Sequence, residues 1–285
     1  MQPRRLNTIL QISEGQRFSV LAEGIELLAD NVATLEADAS GLGDSRRDRG
    51  AAVLRCFAEE EAAKVLILFD LARAGWSNHP AVSACLSRFY AHLARGLYAL
   101  AYGGAPADLA EVRRYVDHWR QEYYLDGPMD VDWIFGNEVL AAREERLYVD
   151  YIEQEHGDRR WTGPVDRTRD LDAPFAFPAP TSIVVQLVAA MHRIGLLTEH
   201  GLDVTCRTWK GVVVDDTMHW SDLKPLNIEV LNRLDKEGRA SAEDVHYVLE
   251  HWIFPLTSLD LSLAKVDLAD LQRARERRLA YEMGL

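Results

Sequence analysis

Between residues 18 and 35 an apolar side chain returns every three or four positions: Phe18, Leu21, Ile25, Leu28, Val32 and Leu35. That period fits one face of an α-helix and does not fit a strand. A stripe of this kind has to be covered, so the chain is committed to packing helix against helix. Ser13 and Gln16 have the spacing of a capping box at the start of this helix. The segment Ser40-Gly41-Leu42-Gly43-Asp44-Ser45 is expected to break it. A second helix is predicted from about Asp48 to Ala74, closed by Gly75, with Leu54, Phe57, Ala58, Glu61, Val65, Leu68, Phe69 and Ala72 as its stripe. A third should start after Pro80 and run to about Leu100, and a fourth from about Pro106 to Tyr124. Four helices with short connections predict a mainly α, up-down bundle.

Past Gly127-Pro128 a short helix is expected around Trp133 to Arg143. The aromatic and β-branched run Leu147-Tyr148-Val149-Asp150-Tyr151, a turn at His156-Gly157-Asp158 and then Trp161 read as a small β-hairpin or arm packed on the bundle. Residues 164–180 hold four of the ten prolines and read as a linker. The chain therefore divides into a bundle with its arm over 1–165 and a mostly helical region over 166–285. In the latter, Ile183–Leu197 is predicted helical, Val204–Val214 strand-like, and Pro225–Asp235, Ser241 to about Trp252 and Leu268–Glu282 helical.

Composition narrows the function. Hydrophobic residues make up 48% and charged residues 27%, enough apolar material for a folded core. The net charge of −13 means that the overall field repels nucleic acid and anionic membranes, so either partner would need a local basic patch. No run of about 18 apolar residues exists, which predicts no membrane span. The apolar stretch Thr8–Ile12 is too short for a secretory signal, so a cytoplasmic location is expected. Cys56, Cys85 and Cys206 are far apart and form no CxxC, so they are expected to be reduced thiols. No glycine-rich phosphate loop, second EExxH helix or GxSxG elbow is present. No metal and no cofactor are expected.

Two constellations could carry chemistry. In Glu59-Glu60-Glu61-Ala62-Ala63-Lys64, Glu61 falls in the apolar stripe, where a carboxylate is costly unless paired, and Glu60 stands four before Lys64. Asn31 lies at the edge of the first stripe, so an inward Asn31–Glu61 pair is expected across the two helices. Arg88, His92 and Arg95 are spaced four and three and should share a face of the third helix. Two guanidiniums and an imidazole on one ridge call for an anion. That anion is either Glu60 or Glu61, in an internal ion network, or a phosphate reached from a cleft.

Glu60-Glu61-x-x-Lys64, His92 three before a basic residue, and the Leu147–Tyr151 arm followed by Trp161-x-x-Pro164 together resemble the AbiV family of phage abortive-infection proteins, over about residues 15–165. That family belongs to the HEPN superfamily of helical bundles. Where the family usually has Lys after the histidine this chain has Arg95, which keeps the charge but changes its geometry. The resemblance implies a HEPN-like bundle, a homodimer and, since many HEPN proteins are metal-independent ribonucleases, an endoribonuclease toxin that shuts down translation. The usual Arg-to-His spacing of that superfamily occurs here about as often as nine histidines among 27 arginines produce by chance, as in Arg113–His118, so it selects no pair. If RNA is the substrate, His92 is expected as acid or base, with Arg88 and Arg95 on the phosphate and Asn31, Glu60, Glu61 and Lys64 as supporting polar residues. The alternative is a non-catalytic module that senses a phage or host protein.

Overall fold

The computed structural model describes residues 5–122, 136–153, 159–164, 181–234 and 240–284. It is mainly helical, with one two-stranded antiparallel sheet among the described residues. The 31-residue α1 (Glu14–Asp44) and the 27-residue α2 (Asp48–Ala74) form a hairpin around a three-residue turn. Within that turn Arg46 takes a left-handed φ of 57°. The α1 helix runs through Gly41 and Gly43, where a break was expected, and ends only at Ser45, whose hydroxyl and amide both bond back to the Gly41 carbonyl. At its start the Ser13 hydroxyl bonds the Gln16 side chain at 2.8 Å and caps no amide, so the reciprocal box is not formed.

The central helix is α2. From Val65 to Arg73 every residue is buried, so this stretch is covered on all sides and not along one stripe. Its neighbours are α1, α3 (His79–Arg88), α4 (His92–Tyr102), α6 (Glu138–Leu147), α7 (Ile183–Arg193) and α8 (Glu199–Trp209). Gly75 closes it with a φ of 75°, a conformation that only glycine adopts without strain. Core residues come from both sides of residue 165, and the boundary proposed there falls next to 165–180, outside the described residues.

The expected third helix is two. Arg88 ends α3 and His92 begins α4, with Phe89-Tyr90-Ala91 turning the chain between them. At the end of α3 the Arg88 guanidinium donates to the carbonyls of Leu256, at 2.9 Å, and Leu259. The redirected α4 turns Arg95, Tyr98 and Tyr102 inward, all buried. Next comes α5 (Leu109–Trp119), capped by Asp108, which accepts from the Glu111 amide at 2.7 Å. Buried Asn137 joins α5 to α6: its carbonyl oxygen accepts from the amides of Val139 and Leu140, and its Nδ2 donates to the carbonyls of Trp119 and Gln121 at 2.7 and 2.8 Å. The helix expected around Trp133 to Arg143 thus begins at Glu138, and Trp133 is outside the described residues.

α6 leads into the arm, β1 (Asp150–Glu153) paired with β2 (Arg159–Thr162), Tyr151 opposite Trp161. The hairpin exists, but its aromatic side chains are not packed on the bundle: Tyr151 is 57% and Trp161 71% exposed. Val204–Val214 corrects the strand expected there. Thr198 caps α8 by accepting from the Gly201 amide, and Leu202, Thr205 and Trp209 are buried at helical spacing against the body of the protein. Burial outweighs the β-branched character of Val204 and Thr205, and the segment leaves the helix only after Trp209. The remaining helices are α9 (Trp220–Leu234), α10 (Ala242–His251) and α11 (Leu268–Glu282), the last mostly exposed, with Leu271 buried. Among the described residues no helix is long and apolar enough to cross a membrane.

Candidate functional site

The three acidic residues of α2 point in different directions. Glu60 is buried; its Oε2 lies 3.1 Å from Arg95 Nη2 and 3.1 Å from His92 Nδ1, and its Oε1 3.6 Å from Arg143 Nη1. Glu61 is half-buried and pairs with Lys64, so Lys64 belongs to Glu61 and not to Glu60. The carboxylate that the stripe placed inward was Glu61; the buried one is Glu60. Asn31 is exposed and forms no interior pair with Glu61; both only line the same shallow groove. The helix break separates Arg88 from the His92 face and spends its guanidinium on backbone carbonyls. Of the expected trio, His92 and Arg95 come together with Glu60, and the second arginine at the ring is Arg143 of α6, whose Nη1 lies 2.5 Å from His92 Nδ1 and 3.3 Å from Nε2.

A close helix crossing sets this meeting. A Cβ built on Gly96 would come within 2.3 Å of Val139 Cγ1, so α6 rests on the glycine itself. One turn from Gly96 is His92 and one turn from Val139 is Arg143, which carries the guanidinium to the ring. Arg143 also lies over the Phe57 ring, 5.4 Å from its centroid.

The cluster opens on a cleft of about 610 Å³. The His92 side chain is 48% and Arg143 29% exposed, whereas Arg95 is 8% and Glu60 12%. Partial burial and the Arg95 charge hold the His92 pKa below its usual value, against the pull of Glu60. The ring is therefore neutral at pH 7 and has two tautomers within reach. With Nδ1–H donating to Glu60, the Nε2 lone pair takes a proton, but only once the Arg95 and Arg143 guanidiniums, 2.6 and 2.5 Å from Nδ1, have turned from it. With the hydrogen on Nε2, Nδ1 accepts from Arg95, 2.6 Å away, and the ring is a donor.

Glu59, Arg146 and Cys56 line the same cleft. Burial raises the Glu59 carboxyl above its ordinary pKa, against a hydrogen bond from Ser182 and the Arg146 charge. Burial likewise raises the Cys56 thiol, which keeps it un-ionised and a poor nucleophile. Glu59 stands in the acidic run already singled out by sequence, but no periodicity separates it from Glu60. Among the described residues no three His, Cys, Asp or Glu side chains gather as a metal site.

The chain matches no protein-family model, no curated protein and no solved structure.

Proposed function

We propose that this chain is a phage-defence endoribonuclease that cuts RNA in the cleft between α2, α4 and α6, as its resemblance to the AbiV family implies. The observation that carries the reading is the half-exposed, depressed-pKa His92 whose Nδ1 meets the Glu60 carboxylate and the Arg143 guanidinium. RNA cleavage without a metal needs a group that takes the proton of the attacking 2′-hydroxyl, a group that gives one to the departing 5′-oxygen, and a cation beside the phosphate. His92 Nε2 serves as the base in the tautomer that donates Nδ1–H to Glu60, which forms when the phosphate draws Arg143 off the ring. Arg95, neutralised by Glu60, positions the ring. Glu59, a carboxyl kept protonated more easily than usual, is the acid available in the same cleft.

Two further features support RNA as the substrate. Arg146 adds a second cation to the cleft wall. The α6 helix that bears both arginines runs into an arm whose exposed Tyr151 and Trp161 rings offer stacking surfaces for unpaired bases. The reading includes a homodimer formed through the first bundle. A second reading, a non-catalytic module triggered by a phage or host protein, is favoured by the net charge of −13. Incubating the purified chain with total RNA in EDTA separates the two. The nuclease reading expects cleavage by the wild type and its loss in a folded His92→Ala variant; intact RNA in both supports the binding module.

A further inference from the structure

A second cavity, of about 1400 Å³, shares no lining residue with the His92 cleft. It lies between the start of α1, the end of α2, α8 and residues 255–258. Its walls hold an unusual excess of buried hydrogen-bond donors. Arg73, at the end of α2, is buried and spends Nη1 on the Ile253 carbonyl at 2.9 Å and on Asp70 at 3.4 Å. Its Nε and Nη2 meet no acceptor among the described residues, nor do the indole Nε1 groups of Trp76 and Trp209. All three residues line this cavity.

Nε and Nη2 form the side edge of a guanidinium, the fork that matches the two oxygens of a carboxylate or phosphate. An unpaired buried donor costs about 1–3 kcal/mol, and four of them in one wall point to an acceptor-rich occupant. The same wall carries the carboxylates of Glu14, Glu199 and Asp203, the last paired with Arg207 at 2.8 Å. Arg73, Arg207 and Lys210 balance them, so the wall carries no excess of positive charge for a polyanion and suits a ligand with a single oxyanion group. The Trp209 ring stacks on the Arg73 guanidinium, its centroid 3.6 Å from Cζ, and the Nε–Nη2 edge is buried in this state.

We propose that this cavity binds a small molecule through one carboxylate or phosphate group, held by the Nε–Nη2 edge of Arg73 and the indole N–H groups of Trp76 and Trp209. Entry of the anion turns the Trp209 ring aside, so tryptophan fluorescence reports it. The test titrates the full chain with sodium phosphate and, separately, sodium succinate, against sodium chloride at equal ionic strength. A saturable fluorescence change with a raised melting temperature is expected for at least one, and the tighter anion names the head group. Arg73→Lys keeps the charge beside Asp70 but loses the fork, and should weaken binding roughly tenfold or more. Trp76→Phe keeps the ring and loses one donor, and should weaken it several-fold. Arg143→Ala removes the phosphate-facing cation of the other cleft and should leave the tryptophan-reported binding in this cavity intact. The proposal is overturned if neither anion saturates, if Arg143→Ala abolishes binding, or if a folded Arg73→Lys binds as wild type. Should Arg73→Lys not fold, unchanged affinity in Trp76→Phe overturns it.

Discussion

Gly96 and Val139 are in direct contact across α4 and α6, at a separation that leaves no space for a methyl group. Gly96→Ala would place its Cβ 2.3 Å from Val139 Cγ1 and push α6 outward. The expected cost is about 1–3 kcal/mol, with Arg143 drawn away from His92. Chemical denaturation together with an RNA-cleavage assay checks this. Adding Val139→Ala to Gly96→Ala should restore part of both losses.

Asp70 is fully buried in α2 and accepts from the Leu256 amide at 3.0 Å, Tyr98 at 3.2 Å, Tyr102 at 3.3 Å and Arg73. Burial raises its pKa, and the Arg73 charge and these donors oppose the rise. Asp70→Ala strands Arg73 and two tyrosine hydroxyls, and should destabilise the fold by about 3–5 kcal/mol. Tyr98→Phe removes one donor and should cost about 1 kcal/mol. Urea unfolding of the two variants should preserve that order.

Asn137 serves both helices it joins, with two amides accepted and two carbonyls bonded. Asn137→Ala should cost about 1–3 kcal/mol. Because the loss loosens the start of α6, hydrogen exchange should rise first in Val139–Arg143 and leave α2 unchanged.

The pH dependence follows from His92. Its pKa in the folded protein lies below the ordinary 6.5, so the unfolded chain binds the proton more readily. The stability associated with the neutral ring is complete above about pH 6.5 and declines as the pH falls toward the folded-state pKa. His251, whose pKa burial also lowers, adds to the same slope, so a His92→Gln variant should lose part of it and keep the rest of the profile. An unchanged slope would mean that His92 is not the group responsible.

The bounds of α2 were legible because they rest on local chemistry: an acidic first turn at Asp48, an apolar period and a left-handed glycine at 75. The split between α3 and α4 was not, since Phe89-Tyr90-Ala91 holds neither Gly nor Pro, and the carbonyls that Arg88 meets lie 168 and 171 residues away. Separation in sequence also hid Arg143, 51 residues from His92, which sequence shows only as the end of a helix. Reading α2 as one stripe also chose Glu61 over Glu60, because a helix packed by neighbours on several sides has no single inner face. Asp70 did carry a signal, a lone carboxylate inside the apolar run Val65–Ala72.

The central claim is that His92, oriented by Glu60 and accompanied by Arg143, activates a 2′-hydroxyl. The most direct measurement is single-turnover cleavage, in EDTA, of an end-labelled RNA and of the same strand with 2′-deoxy substitution at each cut site. The wild type should cut only the ribose strand, leaving a 2′,3′-cyclic phosphate, and a folded His92→Ala variant should be slower by about 10²–10⁴-fold. Equal cutting of both strands, or a wild-type rate in His92→Ala, would contradict it.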